Sequence, residues 1–194
     1  MKTIVASDFD GTLTTKDTLL EFIRFAKGDV RCLLGFILHL PWLILMKLKL
    51  YPNWKSKQRV FSFFFKGMTL EEFERLGREF ADKVDTFRRD NIINKVEQLR
   101  SDGAVVYVVS ASIEEWVRPW CERQGYKVLG TKIETDEHGI ITGRFSSKNC
   151  YGSEKVRRLM EVEPDRKNYK LYAFGDSSGD DALLALADVG EKIK

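Results

Sequence analysis

Two aspartates one residue apart, Asp8 and Asp10 in "DFDGTLT", follow directly on the apolar run "TIVA". On an extended strand, side chains two apart project to the same side, so both carboxylates can share one face while Phe9 turns to a core. Carboxylates held this close repel unless a cation lies between them. A second acidic cluster, "GDSSGDD", sets Asp176, Asp180 and Asp181 after the apolar run "YKLYAF". If the two runs are neighbouring strands, Asp176 faces Asp8, and such an oxygen-rich site suits Mg2+ rather than zinc. Taken singly, each motif also reads as an Asp-Gly turn or a helix cap. In "VVSAS", Ser110 ends a β-branched run, where its hydroxyl and the following backbone N–H groups can hold a phosphate oxygen. Ser110 or Ser112 also reads as the cap of the next helix, and for Ser112 that reading is preferred. Lys155, in "NCYGSEKVRR", either brings a cation to the same place or is a solvated lysine early in a helix.

Such residues can meet only if the elements bring them together. Three apolar runs, "TIVASDFD", "GAVVYVVSAS" and "YKLYAFGDSSGDD", each read as a buried strand that delivers Asp or Ser at its C-terminal end. That end is where open α/β sheets bind ligands. Between the second and third runs, "GYKVLGTKIETDEHGIITGRFSS" predicts a short strand and a hairpin turning at His138-Gly139. Helices are expected at Ser112 to Gln124, where "SIEE" resembles a capping box, at Ser153 to Met160, and from Asp180. Residues 15–90 differ: apolar positions recur at helical spacing in "TLLEFIRFA" and "TLEEFERLGREFADKV", with almost no strand pattern. The expectation is therefore an α/β, doubly wound, mainly parallel sheet from residues 1–14 and 91–194, with an all-helical insert at 15–90. No internal repeat or low-complexity linker is evident.

Composition narrows the function classes. With 194 residues and 43% hydrophobic, the chain can build a core domain with a smaller insert. The formal charge of +3 comes from intermixed signs rather than one basic stripe, which argues against a nucleic-acid partner. Cys32, Cys121 and Cys150 are odd in number and widely spaced, a pattern of reduced thiols rather than a disulfide framework or a zinc site. The opening "MKTIVASDFDG" has too short an apolar run for a signal peptide and enters acidic residues at once. A cytoplasmic protein is the expectation.

The order of these elements resembles the haloacid dehalogenase (HAD) superfamily of phosphotransferases, in the subfamily IB branch that includes phosphoserine phosphatase. The matching motifs, in order, are DxDGT from Asp8 to Thr12, the strand-terminal Ser110, Lys155, and GDSxxD from Gly175 to Asp180. The resemblance implies a Rossmann-like HAD core with an inserted C1-type helical cap, and a Mg2+-dependent phosphomonoester phosphatase working through an aspartyl-phosphate. Asp8 would be the nucleophile, and Asp10 would protonate the leaving oxygen and then deprotonate water. Ion-pumping ATPases and dehalogenases of the superfamily lack an aspartate at the second position, so its presence here favours ester hydrolysis. Mg2+ would be held by a carboxylate oxygen of Asp8, the backbone carbonyl of Asp10 and a carboxylate of Asp176. Ser110, Ala111, Lys155 and Gly11 would hold the phosphoryl oxygens. Asp180 would orient metal-bound water or Lys155, and Asp181 would be a helix N-terminal acid. Related enzymes usually continue through another strand and helix beyond "ADVGEKIK", so a short sheet edge is expected.

Substrate choice belongs to the cap in this superfamily. At the spacing where phosphoserine phosphatases have a glutamate, this chain has Asp17, which also reads as a helix N-cap. Arg59 could meet a substrate carboxylate, or stand solvated among lysines. The stretch "CLLGFILHLPWLILM", Cys32 to Met46, has no charge in a chain that is 31% charged. Its fifteen residues would make a helix about 22 Å long, short of a bilayer core of about 30 Å, and Pro41 is expected to kink or end it. It reads as a poor membrane span. Two readings remain: a pair of cap helices meeting at His39-Leu40-Pro41-Trp42 and burying each other, with His39 a linker residue, or an apolar hairpin dipping into the membrane interface. In the second, Trp42, Tyr51 and Trp54 lie at headgroup depth and Lys47, Lys49, Lys55, Lys57 and Arg59 meet anionic lipid at the inner face of the membrane. This cap resembles in character the phosphatidylglycerophosphatase C type of enzyme, which implies a lipid-like or apolar phosphomonoester. The alternatives are a small metabolite of phosphoserine type, or a binding or scaffold protein that has lost catalysis.

Overall fold

The computed structural model describes residues 2–194. A five-stranded sheet has the order β3-β2-β1-β6-β7, formed by β1 (Lys2–Ser7), β2 (Val105–Ile113), β3 (Lys127–Thr131), β6 (Tyr169–Gly175) and β7 (Val189–Lys192). Every neighbouring pair is parallel. Alternate residues of β1 enter opposite layers: Val5 joins an apolar cluster with α5 (Asp90–Ser101) and α6 (Glu114–Arg123), while Ile4 and Ala6 join one with α7 (Ser153–Val162) and α8 (Asp181–Leu186). Strands buried on both faces explain why their sequences are continuous apolar runs. The expected hairpin is β4 (Ile133–Thr135) paired antiparallel with β5 (Ile141–Phe145), and Gly139 takes positive φ in its turn.

The insert between β1 and β2 consists of four helices, α1 (Thr18–Lys27), α2 (Asp29–Lys47), α3 (Asn53–Phe65) and α4 (Leu70–Val84). The chain leaves and returns side by side, with Thr15 N–H donating to Phe87 O at 2.8 Å and Arg89 N–H donating to Leu13 O at 2.7 Å. The helices share one apolar cluster with the sheet. Phe22 of α1 is its hub, with ring centroids 5.5, 5.3, 5.2 and 4.9 Å from Phe65, Phe73, Phe80 and Trp116. Trp116 belongs to α6, so this packing joins the insert to the core.

Three expectations change. The stretch around Pro41 is neither two helices nor a hairpin: α2 is one 19-residue helix that contains Pro41. Proline removes the bond to the carbonyl four residues earlier, here that of Ile37, and the helix nevertheless continues through it. His39 is not a linker residue; its Nδ1 lies 2.8 Å from the Gly35 carbonyl within the same helix. The turn comes later, at residues 48–52, where Lys49 adopts φ 60°. Next, α6 begins at Glu114 and its N-terminus has no side-chain cap, because β2 runs on through Ser112 to Ile113. Finally, "ADVGEKIK" itself supplies the edge strand β7, so the sheet extends one strand past β6.

Gly77 marks a close contact between insert and core. A Cβ there would overlap the Glu115 carbonyl oxygen of α6. In an open helix Gly→Ala gains about 1 kcal/mol, whereas overpacking costs about 1–3 kcal/mol. Gly77→Ala is therefore expected to lower stability, read as a fall in Tm of a few degrees by calorimetry; a rise would show that α4 and α6 are not in close contact.

Candidate active site

The sheet's C-terminal edge gathers the chemically interesting side chains. β1 ends at Ser7, and Asp8 N–H still donates to Phe174 O of β6 at 2.9 Å, which fixes where the chain leaves the sheet. Phe9 then turns into the core, 5.6 Å from the Trp120 ring. Asp10 lies in the turn after β1 and lines the same cleft as Asp8. Gly11 takes φ 76°, and a Cβ at this position would overlap the Asp176 carboxylate. Only glycine lets the β1 loop and the β6 loop approach so closely.

Lys155, 2% exposed near the start of α7, reaches Asp8 Oδ1 at 2.7 Å and Asp180 Oδ1 at 2.5 Å. Burial pushes the ammonium toward neutrality, but the two carboxylates outweigh it and hold Lys155 charged. Asp180 also accepts from Ser177 N–H at 3.0 Å and Ser177 Oγ at 2.8 Å. Burial raises its pKa, but Lys155 and Ser177 prevail and hold it below the ordinary carboxylate range. Asp180 is therefore a direct hydrogen-bond partner of Lys155. Asp181 lies in the first turn of α8, 2.6 Å from Lys192.

The two aspartates of the first motif have different surroundings. Asp8 is pushed up by burial, which the Lys155 charge opposes and the Asp180 charge reinforces. Asp10 has no lysine partner; its Oδ1 accepts Thr18 N–H at 2.7 Å, and its Oδ2 accepts the Ser112 hydroxyl. Burial first, then the charges of Asp17 and Asp8, push its carboxyl up to about 6, against the hydrogen bonds from Ser112 and Thr18. Asp176 is also raised, by burial and then by Asp180.

Asp8, Asp176 and Asp180 each offer a carboxylate oxygen within 4.8 Å of the others. Three carboxylates and one lysine leave two negative charges uncompensated when all are ionised. Both oxygens of Asp180 are already engaged, so a cation would be held by Asp8 and Asp176. Their hard oxygen donors fit Mg2+, and Gly11 leaves the Asp176 carboxylate the room it occupies.

Ser110 and Ala111 lie at the end of β2, in the wall of the same cleft of about 470 Å³ that contains Asp8, Asp10, Lys155 and Asp176. Ser110 is buried, and its hydroxyl accepts Ser112 N–H at 3.1 Å. Asp17 is the N-cap of α1, accepting Leu19 N–H at 2.9 Å, and it also lies at the cleft rim. Arg59 is elsewhere. Its guanidinium stacks 4.2 Å from the Trp42 ring and its Nε donates to Tyr51 Oη at 2.9 Å.

Two site residues escaped the sequence reading. Lys57 turns into the cleft rather than outward, its Nζ donating to Ala111 O at 2.6 Å. Burial lowers its pKa, opposed by Asp10, Asp17 and Asp8. The signal was present in the period of α3, where 57 falls on the stripe of buried Ser56, Val60, Phe61 and Phe64 and Arg59 does not. Ser112, read as a helix cap, instead serves Asp10; nothing local in "SIEE" points to that partner.

A family model for haloacid dehalogenase-like hydrolases matches residues 5–185. The chain belongs to this family. Among curated relatives of this HAD hydrolase, Protein CicA of Caulobacter vibrioides is 35% identical over 188 residues, covering 95% of this chain and 83% of the relative. Among solved structures, a Bordetella pertussis Tohama I protein of unknown function aligns with TM-score 0.79 at 16% identity, over 95% of this chain and 86% of that one. A substrate-bound phosphoserine phosphatase complex aligns with TM-score 0.65 at 18% identity, over 96% of this chain and 83% of that one. At these identities the structural likenesses establish the shared fold of the HAD hydrolase.

Gly11→Ala should displace Asp176 and strain the loop together. Mg2+ affinity, measured by titration calorimetry, is expected to fall by about 10–100-fold, the range for disturbed support of a metal ligand; unchanged affinity would remove Asp176 from the metal site.

Proposed function

We propose that this HAD hydrolase is a Mg2+-dependent phosphomonoester phosphatase that forms an aspartyl-phosphate on Asp8. One observation supports it above the others: adjacent carboxylates in one cleft are divided between two environments, Asp8 paired with Lys155 and Asp10 raised to about 6 beside Ser112 and Thr18. Burial raises both carboxyls, but only Asp8 has an ammonium beside it to favour its anion, the asymmetry expected between a nucleophile and an acid.

In this reading an Asp8 oxygen attacks phosphorus and the ester P–O bond breaks, its electrons leaving with the alcohol oxygen. Asp10 gives that oxygen its proton. Asp10, now ionised, takes a proton from water, whose oxygen attacks the phosphoryl-Asp8 and releases phosphate with the Asp8 carboxylate restored. Lys155, the Ser110 hydroxyl and the backbone at Gly11 and Ala111 hold the phosphoryl oxygens as charge shifts. Mg2+, when bound by Asp8 and Asp176, lessens repulsion between nucleophile and phosphoryl group. Residues 15–90 act as the cap, and residues 1–14 and 91–194 as the catalytic core.

Above the carboxylates the cleft wall is apolar, made by Leu19, Leu20, Phe36, Leu43, Met46 and Val60. This supports a lipid-like substrate, of the phosphatidylglycerophosphate type, met by peripheral contact at the inner face of the membrane; in this reading the chain resembles phosphatidylglycerophosphatase C enzymes of subfamily IB. A second reading, a phosphoserine-like metabolite, draws on Lys57 and Asp17 at the same cleft, a cation and an anion that could receive an amino acid's carboxylate and ammonium.

Asp8→Asn is expected to lower kcat by about 10³-fold or more while circular dichroism stays unchanged; surviving activity would refute the nucleophile. For the substrate, kcat/KM compared between phosphatidylglycerophosphate in mixed micelles and phosphoserine decides, and turnover of phosphoserine alone would sink the lipid reading. Ser112→Ala removes a hydrogen bond that favours ionised Asp10, so the Asp10 pKa should rise further. With an alkyl phosphate, whose leaving group needs the proton, kcat should fall about tenfold and its alkaline limb should move to higher pH; an unmoved limb would show that Asp10 is not the acid.

A further inference from the structure

On the outer side of α2, Val30, Leu33, Leu34, Ile37, Leu38 and Ile44 recur at helical spacing, each at least half exposed. In an ordinary surface helix that stripe is polar. The opposite side is already occupied: Gly35 sits where a Cβ would overlap the Phe64 ring, Ser56 Oγ donates to Trp42 O at 3.2 Å, and Phe36, Leu43 and Met46 line the catalytic cleft. α2 is apolar on both sides, and the structure accounts for one.

We propose that the outer face of α2 docks in the plane of an anionic lipid bilayer, so that a phosphate ester anchored in the bilayer enters the cleft sideways past α2. The orientation toward substrate rests on the lipid-like reading above; the docking does not.

Charge identifies the occupant. From Val30 to Leu70 the chain has seven lysines and arginines and no aspartate or glutamate. Lys57 faces the cleft; the other six, including Arg31, Lys47, Lys49 and Lys66, are exposed around the apolar face. Asp29, which opens α2, is paired with Arg24 at 2.7 Å; a protein partner's apolar groove would not call for so basic a border, whereas anionic headgroups around hydrocarbon do. At the helix's C-terminal end Arg59, Trp42 and Tyr51 form a stacked cluster, a composition suited to headgroup depth.

Length and composition alone would let α2 cross a membrane. Its packing argues for lying flat. α3 runs against it carrying Lys55, Lys57 and Arg59, and a spanning α2 would draw these charges and the edge of the catalytic cleft into hydrocarbon. Lying flat buries the leucine stripe and keeps α3 and the sheet in water, with the Phe36, Leu43 and Met46 wall joining the bilayer to Asp8.

The test is sedimentation of the full chain with phosphatidylcholine vesicles, with and without phosphatidylglycerol, using Asp8→Asn so that turnover cannot alter the membrane. Binding should be about 10-fold or more tighter to anionic vesicles and weaken with salt. Leu34→Glu/Leu38→Glu, neither of which lines the cleft, should abolish binding in the Asp8→Asn protein, and with Asp8 intact should abolish turnover of vesicle-borne phosphatidylglycerophosphate yet keep the wild-type rate on p-nitrophenyl phosphate. Absence of vesicle binding, equal binding by the double variant, or a solution dimer that the variant dissolves while vesicles are ignored would each overturn the proposal. If the protein binds vesicles but hydrolyses no phosphate ester, the docking stands and the phosphatase reading fails.

Discussion

The structure turns on a buried ammonium. Lys155, 2% exposed, can remain charged only because Asp8 and Asp180 lie at 2.7 and 2.5 Å. Taking three charges from water is costly, and apolar residues of the same volume would usually stabilise a core as well or better. The arrangement holds the end of β1, the loop after β6 and the start of α7 at one point. α7 is in turn fixed by Arg158, which donates to the Gly130 carbonyl, to Lys148 O at 2.7 Å and to Glu154 Oε1 at 3.1 Å. Glu154, held by Arg157 and Arg158 against the effect of burial, has its pKa lowered to about 2, so this anchor stays ionised across the physiological range. The polar interior serves geometry at the sheet edge more than stability.

The insert takes part in that geometry. Asp10 is held by the backbone of Thr18, which begins α1, and by Ser112 at the end of β2; Thr18 Oγ1 lies 3.2 Å from Ser112 Oγ and accepts from Trp116 Nε1 at 3.2 Å. Trp116 stacks on Phe22. The same aromatic cluster that closes the insert against the sheet therefore positions the donors to Asp10. A loosening of α1 would alter proton transfer at Asp10 as well as access to the cleft.

The sheet and the acids were legible because their signals are local: apolar runs of strand length, with Asp or Ser at or just beyond their ends. The β4-β5 turn followed from His138-Gly139 for the same reason. What was missed depends on contacts remote in sequence. "SIEE" has the local form of a capping box, but Asp10, 102 residues away, competes for the Ser112 hydroxyl and β2 continues instead. Arg59 was the cap cation read as able to meet a substrate carboxylate, whereas the inward stripe of α3 carries Lys57 into the cleft. Pro41 normally ends a helix, yet α2 continues through it, held along its inner side by α3. The sequence left the direction of the α2 leucines open because a helix apolar all round has no preferred face; only its neighbours, α1 and α3, define one.

Electrostatics ties substrate to cation in this cleft. Asp8, Asp176 and Asp180 against Lys155 carry two uncompensated negative charges, and a phosphate monoester dianion would add two more. At about 4 Å and an effective dielectric constant of about 20, each like-charge pair costs about 4 kcal/mol. Proton uptake by Asp10, at about 6, offsets a little of this near neutral pH. Lys57 is the other lysine in the cleft wall, its ammonium weakened by burial and restored by whatever negative charge approaches. Neither is enough for a dianion beside Asp8. A divalent cation between Asp8 and Asp176 removes the excess, so phosphate ester and metal should each favour the other's binding. The raised pKa values of Asp8 and Asp176 have the same origin: buried carboxylates with more negative charge nearby than Lys155 alone can balance.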